Sequence, residues 1–142
     1  VDISTDALKI AVFNASKNNV DVEFFKFDIL NSYEISINTF DIIISNPPYI
    51  LKSEANQMEK RVVEFEPSLA LFVENIDSII FYKKIIDLCL NSLTNNGLLF
   101  FELNPHFAND VKYYAELSGI FKFTEIINDM SGKQRFLKAQ KK

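Results

Sequence analysis

Asn46-Pro47-Pro48-Tyr49 is the stretch of this chain whose residue types and order could do chemistry. Two consecutive prolines fix the backbone and remove two amide donors, which leaves carbonyl oxygens free to face a ligand. Asn46 adds a side-chain carbonyl and Tyr49 a flat apolar ring. Such a set suits a planar NH2 group, whose two hydrogens go to two fixed oxygens while its π face lies on the ring. Burying an amide without those bonds costs about 1–3 kcal/mol per unpaired group. A rigid turn at a strand exit is the plain structural alternative.

Two acids stand in comparable places. Val1-Asp2-Ile3 reads as a strand end closing on a carboxylate, and a β-branched and aromatic strand over residues 22–27 ends at Asp28. In open α/β sheets ligands bind beyond the C-terminal ends of the strands, and a carboxylate there is a common acceptor for paired ribose hydroxyls. Taken singly, each acid could equally be a helix cap or a solvated loop residue.

Positioning these groups requires a sheet. Ser4-Thr5-Asp6 offers helix-capping side chains, Ala7, Leu8, Ala11, Val12 and Ala15 follow at helical spacing, and Asn18-Asn19 makes a stop. Residues 40–45, centred on Ile42-Ile43-Ile44, form a continuous apolar run that predicts a parallel strand covered on both faces. A long connection over residues 50–76, with a helix near 54–62, is of a length that is usually functional. A strong helix over 78–93 is ended by Asn95-Asn96-Gly97, and a buried strand follows over 98–103. A helix from about His106 stops at Gly119. Strands near 121–127 and 135–140 then flank Asp129-Met130-Ser131-Gly132. Alternation of this kind predicts an α/β fold, a mostly parallel sheet carrying helices. The last two strands, with no helix between them, predict an antiparallel hairpin at one edge.

Composition narrows the classes. At 142 residues the chain is long enough for one domain with a sizeable core, and 48% hydrophobic with 24% charged residues is a soluble globular balance. No uninterrupted apolar run reaches the roughly 18 residues a membrane span requires. No basic region followed by an apolar stretch and cleavage site opens the chain, and Val1 reads as a processed or artificial start. Net charge is −4, from 19 acidic against 15 basic residues, which argues against a domain built to grip phosphate backbones. The basic tail of Lys133, Arg135, Lys138, Lys141 and Lys142 reads as a solvated end. Cys89, the single cysteine, excludes an internal disulfide and reads as a buried structural thiol. A reducing, cytoplasmic setting fits. No cluster has metal-ligand spacing, so no metal is expected, and lone His106 reads as an exposed or capping residue.

Asn-Pro-Pro-Tyr after a buried strand resembles the signature of methyltransferases that act on planar amino groups, the adenine N6 and glutamine N5 enzymes. Val62-Val63-Glu64-Phe65-Glu66-Pro67-Ser68-Leu69-Ala70-Leu71-Phe72 is similar to the Val-x-x-Tyr-Glu-Pro-x-x-Ala-Leu block of HemK/PrmC-type release-factor glutamine methyltransferases. Phe81-Tyr82, Glu102 and Asp129-Met130-Ser131-Gly132-Lys133-Gln134-Arg135 match the same family, so the resemblance covers nearly the whole chain. It implies a Rossmann-like class I methyltransferase sheet, mostly parallel with an antiparallel C-terminal strand. It also implies methyl transfer from S-adenosylmethionine to the glutamine N5 of the Gly-Gly-Gln motif in class 1 peptide release factors. By the same resemblance Asp2 binds the cofactor ribose and Asp28 lies by the adenine. Asn46 and the Pro47 carbonyl hold the carboxamide at the catalytic and cofactor-facing corner, with Pro48 and Tyr49 packing against it. Glu66 and Pro67 shape the substrate pocket, and Arg135 belongs to the structural end of the domain.

Two departures stand out. Family members follow the glutamate of the fifth strand with an apolar residue and glycine, whereas here Leu103 leads to Asn104-Pro105, so the local turn must differ. The first strand, its Gly-rich cofactor loop and the family's helical N-terminal domain are also lacking in residues 1–142. The resemblance therefore implies the C-terminal part of one catalytic domain, inactive by itself, with exposed apolar strand edges. Rival readings are an adenine N6 nucleic-acid methyltransferase, which would need a basic groove, and an inactive fragment serving as a binding module.

Overall fold

A computed structural model describes residues 1–31, 40–51, 72–73 and 77–142. Its backbone forms two compact units, Val1–Glu34 and Ile35–Lys142. The expected helix near 54–62, with Glu66 and Pro67, lies outside the described residues.

In the first unit, helix α1 (Thr5–Lys17) begins where the sequence predicts. Ser4 is its N-cap, the Ser4 hydroxyl accepting from the Ala7 amide at 3.2 Å, which satisfies one of the helix's orphan donors. Asn18 caps the other end and Asn19 takes the left-handed conformation that stops it. The strand expected over 22–27 is reduced to one parallel bridge between Asp2 and Lys26. Two backbone bonds make it: the Asp2 amide to the Phe25 carbonyl at 3.2 Å, and the Phe27 amide to the Asp2 carbonyl at 2.9 Å. With the α1 cap already at Ser4, only Asp2 of residues 1–3 pairs with it, too few to extend a ladder.

The second unit holds a four-stranded sheet of β1 (Phe40–Ser45), β4 (Leu93–Glu102), β5 (Phe121–Asn128) and β6 (Gln134–Lys141), in the order β1-β4-β6-β5. β1 and β4 are parallel, and β6 runs antiparallel to both β4 and β5. Three strands therefore share one direction and β6 opposes them, with the β5–β6 hairpin at an edge as expected. A separate parallel pair joins β2 (Ile50–Leu51) to β3 (Phe72–Val73).

Helices α2 (Ile80–Ser92) and α3 (Ala108–Leu117) touch each other; α2 packs on β4, and α3 on β5 and β6. The core lies between these helices and one sheet face. Tyr82, Ile86 and Cys89 of α2 and Val111 and Ala115 of α3 are buried there, with Leu99 and Phe101 of β4 and Leu137 and Ala139 of β6. The Tyr82 and Phe101 rings meet edge to face at 5.1 Å, a geometry the ring quadrupoles favour.

Both-faced cover of β1 is corrected. Ile43 and Ser45, in register with Leu99 and Phe101, are half-buried on the helix-covered face. Ile42 and Ile44 alternate to the other face and are 53% and 77% exposed. Since α2 and α3 lie together on one face, successive residues of the edge strand alternate between cover and solvent.

The α2-to-β4 passage also differs from expectation. The helix ends at Ser92 and Leu93 already pairs with Phe40, before a register shift brings Ile42 opposite Leu98. The intervening excursion turns at Asn96, whose φ is 65°. A Cβ on Gly97 would stand 2.8 Å from the Leu93 Cγ and 2.8 Å from the Thr94 carbonyl oxygen, so only glycine fits there. Lys141, expected in solvent, instead gives its ammonium to the carbonyls of Cys89, Leu90 and Leu93 at 3.1, 2.6 and 2.7 Å. Of these, the Leu90 carbonyl is one that a helix C-terminus leaves unsatisfied, while the Cys89 carbonyl also accepts from the Leu93 amide.

Candidate active site

Parallel pairing of β1 with β4 sets Ser45 opposite Phe101, so both chains leave the sheet at the same end. Asn46-Pro47-Pro48-Tyr49 follows one strand and Leu103-Asn104-Pro105 the other, at the C-terminal ends where α/β sheets place ligands. Asn46 is exposed, Pro47 is buried, and Pro48 and Tyr49 are half-buried. The corner is thus anchored by its first proline and presents the asparagine outward.

Tyr49 is held at three points. Its hydroxyl donates to Glu102 Oε1 at 3.1 Å, its carbonyl oxygen accepts from Asn104 Nδ2 at 3.1 Å, and its hydroxyl also interacts with the Arg135 guanidinium. Burial is the largest cause raising the phenol's pKa, with the Glu102 charge and hydrogen bond adding to it and Arg135 opposing. The phenol therefore remains a donor at neutral pH. Glu102 is itself fixed from behind, its carbonyl accepting from the buried Tyr82 hydroxyl at 3.0 Å.

Arg135 reaches this corner because the ladder continues past the strand, the Leu103 amide donating to the Arg135 carbonyl at 2.8 Å. Its Nε lies 3.6 Å from Asp129 Oδ2. Asp129 closes the β5–β6 turn, accepting from the Ser131 and Lys133 amides at 2.8 and 3.0 Å. The Lys133 amide is the largest cause holding its carboxyl below the usual value; the Ser131 amide and Arg135 act in the same direction, and desolvation opposes. The expected solvated basic tail is corrected at Arg135, as at Lys141: its charge is used inside the unit.

In the first unit, Asp2 Oδ1 accepts from the Ser4 amide at 2.7 Å, and the residue is exposed. Asp28 is more committed. Its Oδ1 accepts from the Leu30 and Asn31 amides at 3.0 and 3.3 Å, and its Oδ2 from Asn31 Nδ2 at 2.8 Å. The Asn31 side chain is the main cause lowering its pKa, helped by the two amides and opposed by desolvation. A carboxylate has about four acceptor sites, so each acid retains capacity for a ligand, Asp2 more than Asp28.

Cys89 is fully buried, and burial pushes its thiol up to about 12, as expected of a structural thiol. His106 is exposed, with its backbone amide capped by Asn104. Among the described residues no group of His, Cys, Asp and Glu could hold a metal ion, and no helix is long and apolar enough to cross a membrane.

Asn104 and Arg135 are the site residues that the residue pattern alone does not pick out. Asn104 is visible in the sequence only as a break in the expected turn, and Arg135 only as one more basic residue near the C-terminus.

Known proteins resemble this chain in sequence and in fold. Residues 1–67 match the family "Methyltransferase small domain". The release factor glutamine methyltransferase of Flavobacterium psychrophilum is 41% identical over 97% of this chain and 48% of its own length. That of Bacteroides thetaiotaomicron is 36% identical over 99% and 50%, and that of Lactococcus lactis 38% over 96% and 49%. The chain spans about half the length of these relatives. Among solved structures, a methyltransferase from Pyrococcus furiosus superposes with TM-score 0.65 at 19% identity, covering 97% of this chain and 59% of that one. The N-methyltransferase NodS from Bradyrhizobium japonicum, solved with S-adenosyl-l-homocysteine, superposes with TM-score 0.54 at 16% identity, covering 99% and 63%. The chain shares the fold of these solved structures, and by sequence it is similar to release factor glutamine methyltransferases across nearly its whole length.

Proposed function

We propose that this chain forms the C-terminal part of an S-adenosylmethionine-dependent catalytic domain that methylates a glutamine side-chain amide of class 1 peptide release factors. The glutamine of the Gly-Gly-Gln motif is the target, which sets the reaction in the cytoplasm. The observation that carries this reading is the outward-facing Asn46 on a proline-anchored corner at the end of β1. The similarity to named release factor glutamine methyltransferases supports it.

Bound S-adenosylmethionine supplies a methyl group on a sulfonium, whose sulfur keeps the bonding electrons as a neutral thioether. What the chain must supply is placement, because the amide nitrogen's lone pair is delocalised into its carbonyl and is a poor nucleophile. In our reading Asn46 Oδ1 and the Pro47 carbonyl oxygen each accept one amide hydrogen. That fixes the amide plane and raises electron density on nitrogen. Pro48 and the Tyr49 ring bound the amide's face. On taking the methyl group, the nitrogen would give up one proton to water. Placement of this kind can supply about 7–11 kcal/mol at its upper end. Asp2, exposed with one oxygen engaged, suits the ribose hydroxyls, and Asp28 the adenine edge. Glu66 and Pro67 are assigned to the substrate pocket from the family block alone.

The test gives the complete gene product methyl-labelled S-adenosylmethionine with a release factor or duplex DNA, and locates the label by mass spectrometry. Label on the Gly-Gly-Gln glutamine is expected. Label on adenine, or on neither, overturns the proposal.

A further inference from the structure

Asn104 follows β4 by two residues and is 7% exposed, one of the few buried polar side chains described in this chain. Both ends of its amide are used. Nδ2 donates to the Tyr49 carbonyl oxygen at 3.1 Å, and Oδ1 accepts from the His106 amide at 3.0 Å. Those partners fix the amide's orientation, since a flip would set NH2 against N–H and oxygen against oxygen. The second bond caps the short 3-10 helix Pro105–Phe107. Only the first reaches another element, and it lands on the last residue of the Asn46-Pro47-Pro48-Tyr49 corner. The two prolines have no amide hydrogens with which to tie that corner down, so its backbone must be held through its carbonyls. Glu102, two residues earlier, holds the same tyrosine by its hydroxyl. Two residues of one strand end thus grip Tyr49 by backbone and ring.

We infer that Asn104 is a positioning residue of the amide-binding corner, latching the Tyr49 carbonyl so that the Asn46 and Pro47 oxygens keep one spacing. This deepens the proposed function and rests on it. Tyr49 would be the contact that substrate feels, and Asn104 acts through it. The family pattern in the resemblance usually has glycine where Asn104 stands. Glycine could supply neither bond.

The experiment uses the complete gene product with S-adenosylmethionine and a release factor. Asn104→Asp keeps an oxygen to cap the His106 amide but sets a second oxygen against the Tyr49 carbonyl. Its kcat is expected to fall about 10- to 100-fold, the scale of a misplacement near an ångström, while KM for S-adenosylmethionine stays within about twofold. Asn104→Gly, which removes both bonds without adding repulsion, is expected to show the same split with a smaller fall. It serves as the reading if Asn104→Asp does not fold, as judged by circular dichroism. Unchanged kcat in a folded variant, or kcat and cofactor KM worsening together, overturns the inference. A second readout is free of catalysis: the Asn104 side-chain NH2 should exchange slowly with solvent by 15N NMR in the unsubstituted protein. Exchange at the rate of a free amide also overturns it. If the unsubstituted protein methylates no glutamine, the proposed function fails, while the exchange measurement still decides whether the latch exists.

Discussion

The Tyr49 hydroxyl donates to Glu102 Oε1 at 3.1 Å across 53 residues of sequence, joining the exit of β1 to the end of β4. A half-buried bond to a carboxylate should contribute about 1 kcal/mol, below the range for fully buried charged partners. Tyr49→Phe and Glu102→Ala, singly and together, should therefore show a coupling of about 1 kcal/mol in urea-unfolding midpoints. Additive effects would mean that the bond is not made in solution.

Gly97 packs where a side chain has no room, with Leu93 Cγ and the Thr94 carbonyl each 2.8 Å from an added Cβ. One of the two contacts is backbone, so the clash is not relieved by a rotamer change. Gly97→Ala should lower stability by about 1–3 kcal/mol, read from chemical denaturation. A neutral result would place the 94–97 excursion elsewhere.

Lys141 closes the C-terminal end of α2 with three carbonyl contacts. Lys141→Met keeps the apolar stem and removes the charge, so the loss isolates the cap. About 1–2 kcal/mol is expected, near the upper range for a cation at a helix C-terminus. The loss should shrink little in high salt if the contacts are direct hydrogen bonds.

Two of these contacts mark the limit of what the sequence discloses. Ser4, Asn18 and Asn19 announce α1 because a cap is a local matter of one side chain and one turn. The strand ending at Ser45 and the closing hairpin are legible for the same reason, through apolar runs and turn residues. Ile42-Ile43-Ile44 misleads on burial, because an apolar run states what a strand could bury and not how many faces its neighbours cover. Residues 22–27 have strand-forming types but a single bridge, since a ladder's length is set by its partner. The latch on Tyr49 joins residues 53 and 55 positions apart, and no pattern along the chain encodes such a distance. Asn104 could be noticed only as a residue out of place.

Cys89 gives a prediction in pH. Burial raises its thiol from 9.0 to about 12, so the fold favours the neutral form. Its contribution to stability is therefore complete below pH 9.0 and is lost as pH climbs toward 12. Thiol reagents should label Cys89 at the rate of global unfolding, and the labelling rate should rise steeply across that alkaline window. Fast labelling near neutral pH would show an accessible thiolate.

Asp129 gives the opposite sign. Hydrogen bonds from Lys133 and Ser131, with Arg135 beside it, depress its pKa below 3.8, so its stabilising effect is present above that value and disappears as pH falls through the lowered one. Asp129→Asn should lower the denaturation midpoint near neutral pH and converge with the unsubstituted protein in acid. A gap that persists in acid would assign the effect to side-chain shape instead of charge.

In the proposed reaction Asn46, presented outward from its proline anchor, takes the amide of the substrate. The most direct measurement compares methyl transfer and S-adenosylmethionine affinity in the complete gene product and its Asn46→Ala variant. Turnover should fall about 100-fold or more, as when one preorganised polar contact is removed from a reacting group, while cofactor affinity stays within a few-fold. Equal loss of both, or turnover that survives the substitution, would contradict this role of Asn46.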